Sequence, residues 1–212
     1  FLIERFVPNW QNTQNSTVRE RYGILAASVG ILSNIFLFII KILTGLIFNS
    51  IAITADAVNN LSDAGSSVIT LLAFKIAGKP ADPEHPYGHA RMEYISGMAV
   101  SFIIILLGLQ LIGSSFEKIL HPETVTVSYL TYAVLIISIL TKLWQGIFNR
   151  TVGKRIDSDA LQATAADSLN DVFATSAVLI SAIVYHFTSI PIDGWMGMAL
   201  SLIHISEPTR RS

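Results

Sequence analysis

The stretch "TADAVNNLSDAGSS", residues 54–67, places carboxylates and amides inside a long apolar run. Its polar side chains are Asp56, Asn59, Asn60 and Asp63. On a helix, spacings of three, four and seven put Asp56, one of the two asparagines and Asp63 on one face. Ionisable side chains are expensive inside a membrane and mark functional sites there. The stretch therefore predicts a membrane helix whose polar face turns toward protein or water instead of lipid.

The composition of the whole chain is that of a membrane protein. Of its 212 residues, 51% are hydrophobic and only 14% are charged, whereas soluble domains carry about 25% charged residues. The absence of cysteine excludes disulfides and thiolate metal sites. Phosphate-binding glycine loops, nucleophile elbows and nucleic-acid patches are also missing from the sequence. We therefore expect no nucleic-acid partner.

Six apolar segments have lengths near that needed to cross a hydrocarbon core of about 30 Å. A backbone in lipid must satisfy its own hydrogen bonds, so these segments are predicted to be helices. We expect an all-α membrane protein, a six-transmembrane-helix bundle that occupies residues 22–205. The predicted spans are roughly residues 22–48, 50–77, 94–116, 125–148, 159–186 and 190–205.

Basic residues indicate how the bundle is oriented. They precede the first span, flank the loop between the second and third spans, lie between the fourth and fifth, and end the chain. The opposite loops carry one basic residue, Lys118. By the positive-inside rule, the N-terminal segment 1–21, both basic loops and the C-terminus are cytoplasmic. The residues concerned are Arg5, Arg19, Arg21, Lys75, Lys79, Arg91, Arg150, Lys154, Arg155, Arg210 and Arg211.

Two lysines fall inside predicted spans. Lys142 lies near the cytoplasmic end of the fourth span, from which its ammonium can extend to the membrane interface. Lys41 lies within the first span and is harder to explain; a buried ion pair is one possibility.

The end of the chain, "SLIHISEPTRRS", fits poorly with what precedes it. The sixth span would run only about 15 residues, which is short for a bilayer. We expect residues 206–212 to be a tail that is truncated or foreign. The alternative is a short tilted helix with a basic cytoplasmic end.

The fifth span contains a second polar block, "ATAADSLNDVFAT", in which Asp167 and Asp171 stand at i and i+4. At about 1.5 Å per residue, this pair and the Asn59–Asp63 pair both lie roughly 12–20 Å from the ends at which their helices begin. That depth is near the midplane, so the four side chains can converge. The alternative for the flanking residues Asn60, Ser62, Ser168 and Asn170 is hydrogen bonding between packed helices.

A convergent set of three carboxylates suits a divalent cation. Without a basic partner such carboxylates repel one another and take up protons, whereas a bound cation holds them ionised. An all-oxygen set favours hard cations such as Mn²⁺ over sites tuned for Zn²⁺. Because metal and protons compete for the same oxygens, metal/proton exchange is the natural hypothesis. Asp56 lies nearer the outer face and is a candidate for a proton or exit path.

A second candidate constellation lies in "KPADPEHPYGHARME", residues 79–93. Asp82, His85 and His89 have a spacing suited to a divalent metal. The prolines and Gly88 predict a turn-rich loop. The alternative is a structural loop whose histidines contact neighbouring helices.

Three blocks in order resemble the transmembrane domain of the cation diffusion facilitator family of divalent-metal/proton antiporters, over roughly residues 20–200. They are "SIAITADAVNNLSDAGSS", "GKPADPEHPYGHARMEYISG" and "ALQATAADSLNDVFATSAV". The resemblance implies a transport site at Asn59, Asp63, Asp167 and Asp171. It also implies an accessory site at Asp82, His85 and His89, a homodimer, and a cytoplasmic metal-binding domain after the sixth helix. We expect that domain to be absent from this chain.

The ligand set indicates which metal is carried. Zinc-transporting members usually have a histidine in the quartet, whereas the Asn/Asp/Asp/Asp set resembles the manganese-exporting branch. We therefore expect a transporter, not an enzyme, that exports Mn²⁺ or also Fe²⁺ against inward protons. It would need no cofactor and would sit in the lipid bilayer of a bacterial inner membrane. The alternatives are a Zn²⁺, Cd²⁺ or Co²⁺ antiporter, an intramembrane aspartyl hydrolase and a passive cation channel.

Overall fold

The computed structural model describes residues 2–47, 51–79, 86, 88, 89, 91–120 and 129–188. All regular elements in those ranges are helices, as the apolar segments predict. They are α1 (Leu2–Phe6), α2 (Ser16–Ile47), α3 (Ile51–Ala77), α4 (Met92–Leu120), α5 (Tyr129–Arg155) and α6 (Asp159–Thr188).

Helices α2 and α3 form a closely packed antiparallel hairpin. Glycines on α2 allow the close approach. A Cβ atom at Gly23 would overlap the ring of Phe74, and one at Gly30 would lie 2.7 Å from Ser67 Oγ. The contacts run in opposite directions along the two helices, which is the antiparallel arrangement expected from a short connection.

Helices α5 and α6 form the second hairpin. Their connection is the three-residue turn 156–158, in which Asp157 has φ 51°. Ser158 caps α6, since its Oγ accepts a hydrogen bond from the Leu161 N–H at 3.3 Å. A Cβ atom at Gly153 would lie 3.1 Å from Leu161 Cβ, so the helices stay close beyond the turn.

The two hairpins and α4 make one helical bundle. α4 packs against α3 and α6, and the hairpins meet where α2 contacts α5 and α3 contacts α6. At the end that the positive-inside rule makes cytoplasmic, the short α1 packs onto an apolar cluster. The buried members of that cluster are Val7, Val18, Tyr22, Ala26, Phe74, Val152, Ile156 and Leu161.

Arg19 joins three elements at the same end of the bundle. Its guanidinium donates hydrogen bonds to Glu93 at the start of α4, with Nη2–Oε1 at 2.9 Å. It also donates to the Asp157 carbonyl at 2.9 Å and to the Ile156 carbonyl. The first turns of α2 and α4 and the α5–α6 turn are therefore held together by one planar side chain with several donors.

Helices α2, α4 and α5 extend past the ends of their predicted apolar segments. α2 begins at Ser16, six residues before the predicted boundary at 22, because Asn15 Oδ1 accepts a hydrogen bond from Thr17 N–H at 2.9 Å and caps it there. α5 continues to Arg155, past the predicted end at 148, and α4 extends beyond 94–116 at both ends. Hydropathy marks the apolar part of a helix, whereas capping and turn residues decide where the helix itself begins and ends.

Three of the described helices have the length and apolar composition to cross a membrane: Ser16–Ile47, Tyr129–Arg155 and Asp159–Val184. Large apolar side chains such as Leu32, Phe102 and Leu140 are more than half exposed on the bundle surface, as lipid contact requires. The predicted sixth span, 190–205, and the tail, 206–212, lie outside the described residues. The count of six spans and the cytoplasmic termini therefore stay predictions.

Candidate metal centre

The polar face of α3 is buried. Asn60, Asp63, Ser67 and Thr70 follow one another at spacings of three and four, and all lie in the interior. Asp63 is 3% exposed. Asn59 occupies the turn before Asp63 and is half-buried. The face predicted from the sequence is therefore present on this helix, and it points into the bundle.

The polar face of α6 lies opposite. Asp167 is 7% exposed and the Asp171 side chain is 16% exposed. The two carboxylates stand one turn apart, so they project in the same direction. The neighbouring hydroxyl of Ser168 donates to Thr164 O at 3.0 Å within α6.

The carboxylates of the two helices converge as their spacing and depth predict. One oxygen each from Asp63, Asp167 and Asp171 lies within 4.8 Å of the others. Three carboxylate oxygens at this separation can bind a common cation, since hard divalent ions sit about 2.0–2.6 Å from their oxygen ligands. The structure thus brings together three of the four residues predicted for the transport site, and Asn59 stands one turn from them.

Lys142 on α5 is the residue that sequence reasoning misplaced. Its ammonium does not extend to the membrane interface. Nζ donates a hydrogen bond to Asp63 Oδ2 at 2.6 Å and forms an ion pair with Asp171 Oδ2 at 2.6 Å, and the side chain is 2% exposed. The expectation that the carboxylates lack a basic partner is also wrong, because Lys142 forms ion pairs with two of them.

The signal that places Lys142 inside the bundle was available in the sequence. On α5, Ser138, Lys142, Gln145 and Asn149 recur at spacings of four, three and four, and all are buried. This is one helical face. The distance of Lys142 from the helix end predicts an interfacial lysine. The side of the helix on which it lies, the same side as the buried polar residues, places it in the bundle interior.

Asn60 also contributes to the site. The sequence favoured a packing role for it, and it is 1% exposed. Its Nδ2 approaches Asp63 Oδ2 at 3.5 Å, the long limit of a hydrogen bond. Asp63 Oδ2 is therefore contacted from one side by an amide and from another by the Lys142 ammonium. The Ser62 hydroxyl instead donates to Val58 O at 3.3 Å in its own helix.

A second buried lysine has a partner near the start of α3. Lys41 Nζ lies 2.8 Å from Asp56 Oδ2. The buried ion pair considered for Lys41 is present in the structure, and Asp56 is the group that neutralises it. A proton or exit-path role for Asp56 stays a prediction.

The accessory constellation falls mainly outside the described residues. Asp82 and His85 are not among those residues, and His89 is half-buried next to the start of α4. A metal site at Asp82, His85 and His89 therefore stays a prediction.

The chain belongs to the cation efflux family. The family profile described as "Cation efflux transmembrane domain" matches residues 27–211, which is most of the chain. Together with the apolar helices, this makes the chain an all-α multi-pass membrane protein. Its bacterial relatives agree with the predicted location in a bacterial membrane.

Three relatives show the range of similarity. The manganese efflux system protein MneS of Bacillus subtilis (strain 168) is 33% identical over 189 residues, which is 87% of this chain and 65% of that protein. An uncharacterized transporter of Methanocaldococcus jannaschii is 30% identical over 175 residues, 82% of this chain and 62% of that protein. The manganese efflux system protein MneP of Bacillus subtilis is 27% identical over 166 residues, 78% of this chain and 56% of that protein. The chain thus spans less than two thirds of each relative's length.

Proposed function

We propose that this chain is the membrane part of a transporter that exports divalent cations, with Mn²⁺ as the substrate, in exchange for protons. The observation that carries the proposal is the convergence of Asp63, Asp167 and Asp171 within 4.8 Å inside a membrane bundle. We assign the fourth oxygen ligand to Asn59, which lies one turn before Asp63 on α3. Family membership supports efflux as the direction of transport.

The choice of Mn²⁺ rests on the ligand chemistry. Carboxylate and amide oxygens suit Mg²⁺, Ca²⁺ and Mn²⁺, whereas imidazole and thiolate ligands suit Zn²⁺. The names of MneS and MneP, two manganese efflux proteins, support the same substrate. Fe²⁺ is the second substrate that we propose.

Proton coupling follows from the same oxygens. Metal and protons compete for carboxylates, so binding of one releases the other. Alternating access around a fixed midplane site would then move metal and protons in opposite directions. The further partners in this proposal are the lipid bilayer and a second copy of the chain in a homodimer.

The test is transport by the purified chain in liposomes. Uptake of Mn²⁺ and of Zn²⁺ is measured together with lumenal pH, for the wild type and for Asp63→Ala and Asp167→Ala. We expect Mn²⁺ uptake with proton counter-flow in the wild type and, in both variants, a loss of at least about tenfold, because each variant removes an anionic ligand. Ser62→Ala is the matched control, since Ser62 is exposed and binds only its own helix.

The site, the proton coupling and the metal selectivity can each be disproved by a separate result. Transport that survives both Asp substitutions would exclude this site. Metal flux without proton movement would exclude the antiport. For selectivity, Asn59→His and Asp167→His are expected to raise Zn²⁺ transport relative to Mn²⁺, because imidazole is a better ligand for Zn²⁺. An unchanged ratio would mean that these positions do not select the metal.

A further inference from the structure

Lys142 forms ion pairs with two carboxylates that are proposed to bind the transported metal. Its Nζ lies 2.6 Å from Asp63 Oδ2 and 2.6 Å from Asp171 Oδ2. Hard divalent cations bind carboxylate oxygens at about 2.0–2.6 Å, so the ammonium contacts two of the three carboxylates at the distance that a metal ion would need. The two cations therefore exclude each other at these oxygens, by volume and by charge.

The fold fixes where the Lys142 backbone lies, whereas its long side chain can place the head group at more than one point. The side chain comes from α5, whereas the carboxylates come from α3 and α6, so it approaches the site from a third helix. A lysine ammonium is a point charge on a flexible four-carbon stem. Ser138 and Gln145 lie one turn away on either side of Lys142 on the same buried face of α5. That face offers a displaced ammonium polar groups without requiring that it reach solvent.

Such an exchange addresses a problem that every carrier of this kind has. After the metal has left, the three carboxylates must cross the conformational cycle without it, and any of their charge that bound protons leave uncompensated is strongly unfavourable. An ammonium that returns to Asp63 and Asp171 removes one unit of that charge. It also weakens metal binding, because the metal must first displace it.

We propose that Lys142 is a tethered counter-cation that exchanges with the transported metal at Asp63 and Asp171, and that the return of the metal-free carrier depends on it. This inference rests on the proposed function, and it adds a positioning and coupling residue to the metal ligands. Lys142 contacts the ligands and does not bind the metal.

The test separates two modes of transport in proteoliposomes. Net uptake of Mn²⁺ into empty vesicles requires the metal-free carrier to return, whereas exchange of radioactive Mn²⁺ for unlabelled Mn²⁺ does not. For Lys142→Met we expect Mn²⁺ to bind about tenfold more tightly. This is the gain expected if the Lys142 ammonium blocks the carboxylates in about nine of ten wild-type molecules, because the variant removes that blocked state. We expect exchange to persist while net uptake falls by at least about tenfold.

Lys41→Met is the matched control, because it removes another buried lysine that is paired with an aspartate. Its ratio of net uptake to exchange should equal that of the wild type. Equal losses of net uptake and exchange in a Lys142→Met protein that still binds Mn²⁺ would overturn the inference. So would unchanged net uptake in that variant.

A chemical rescue compares the same folded variant with and without a positive charge at position 142, so poor folding of Lys142→Met cannot decide the test. The chain contains no cysteine, so Lys142→Cys introduces a single thiol. Modification with 2-aminoethyl methanethiosulfonate restores an ammonium at this position, and methyl methanethiosulfonate is the neutral control. We expect the first reagent alone to raise net uptake, with labelling verified by mass spectrometry. Complete labelling without recovery would overturn the inference, whereas a wild type that transports no divalent metal would overturn the proposed function itself.

Discussion

Lys41 and Asp56 form an ion pair whose two members differ in their access to water. The Lys41 side chain is 2% exposed and that of Asp56 is 34% exposed. Asp56 stands five residues into α3, about 8 Å from the helix start, and the predicted span places it near the wet membrane interface. An aspartate left alone there can be hydrated, whereas a lysine left alone in the interior cannot.

We therefore expect the two halves of this pair to respond differently to substitution. Asp56→Asn leaves a buried ammonium without its carboxylate and should lower the free energy of unfolding by about 2–4 kcal/mol. Lys41→Met leaves a partly hydrated carboxylate and should cost less than about 1 kcal/mol. Thermal unfolding of the purified variants in detergent measures both. Equal destabilisation would show that Asp56 is less hydrated than its exposure suggests.

The residues of the site were predictable to different degrees. Asp63, Asp167 and Asp171 could be found because their i and i+4 spacing and equal depth are properties of each helix alone. The ion pairs of Lys142 depend on how α5 is rotated against α3 and α6. Only the polar stripe that includes Ser138 and Gln145 carried that information.

At the scale of the helix, the approach of α2 to α3 depends on glycine. Gly23 faces Phe74, which is 1% exposed, and a Cβ atom at Gly23 would overlap the Phe74 ring at Cγ. Gly65 on α3 is different, because a Cβ atom there would meet nothing within 4 Å. At Gly23 the absence of a side chain is needed for packing, whereas at Gly65 it only lowers the stability of the helix.

Alanine at these two positions should have opposite effects. Gly23→Ala forces the Phe74 ring and the helix apart and should cost about 1–3 kcal/mol. Gly65→Ala gains helix propensity without a clash and should add about 0.5–1 kcal/mol. The measurement is again thermal unfolding in detergent, and shifts of the same sign would contradict the packing described for α2 and α3.

Helix boundaries show what hydropathy leaves out. The existence and order of the first five long segments could be predicted, because each is a long and largely apolar run in the sequence. Their ends could not, because polar residues that continue a helix leave the apolar pattern. Asn15 and Ser158, which cap α2 and α6, are the kind of local signal that sets those ends.

At the scale of the whole molecule, the proposed transport cycle requires parts of the bundle to move against each other. α4 and α6 approach near the predicted cytoplasmic end, where a Cβ atom at Gly97 would lie 3.7 Å from Ala160 Cβ. That separation matches a disulfide, whose Cβ atoms lie about 3.5–4.5 Å apart. A cross-link there would tie α4 to α6, which belongs to the α5–α6 hairpin.

We expect a Gly97→Cys/Ala160→Cys disulfide to lower Mn²⁺ transport by at least about tenfold when oxidised, because it prevents the rearrangement of alternating access. A reductant should restore transport. The controls are the single variants Gly97→Cys and Ala160→Cys, which cannot form this cross-link in a chain without cysteine and should transport like the wild type under the same oxidant. Full transport by the oxidised Gly97→Cys/Ala160→Cys protein would mean that α4 and α6 move as one body.

In the proposed exchange, the ammonium of Lys142 would also restrict which ions can enter the site. A monovalent ion that displaced it from Asp63 and Asp171 would replace one positive charge with another and would gain no Coulomb energy. A divalent ion adds a charge at the same oxygens. If the proposed exchange operates, Na⁺ and K⁺ would be rejected by valence before the size or coordination preference of any ion matters, and discrimination among divalent metals would be left to Asn59 and the three aspartates.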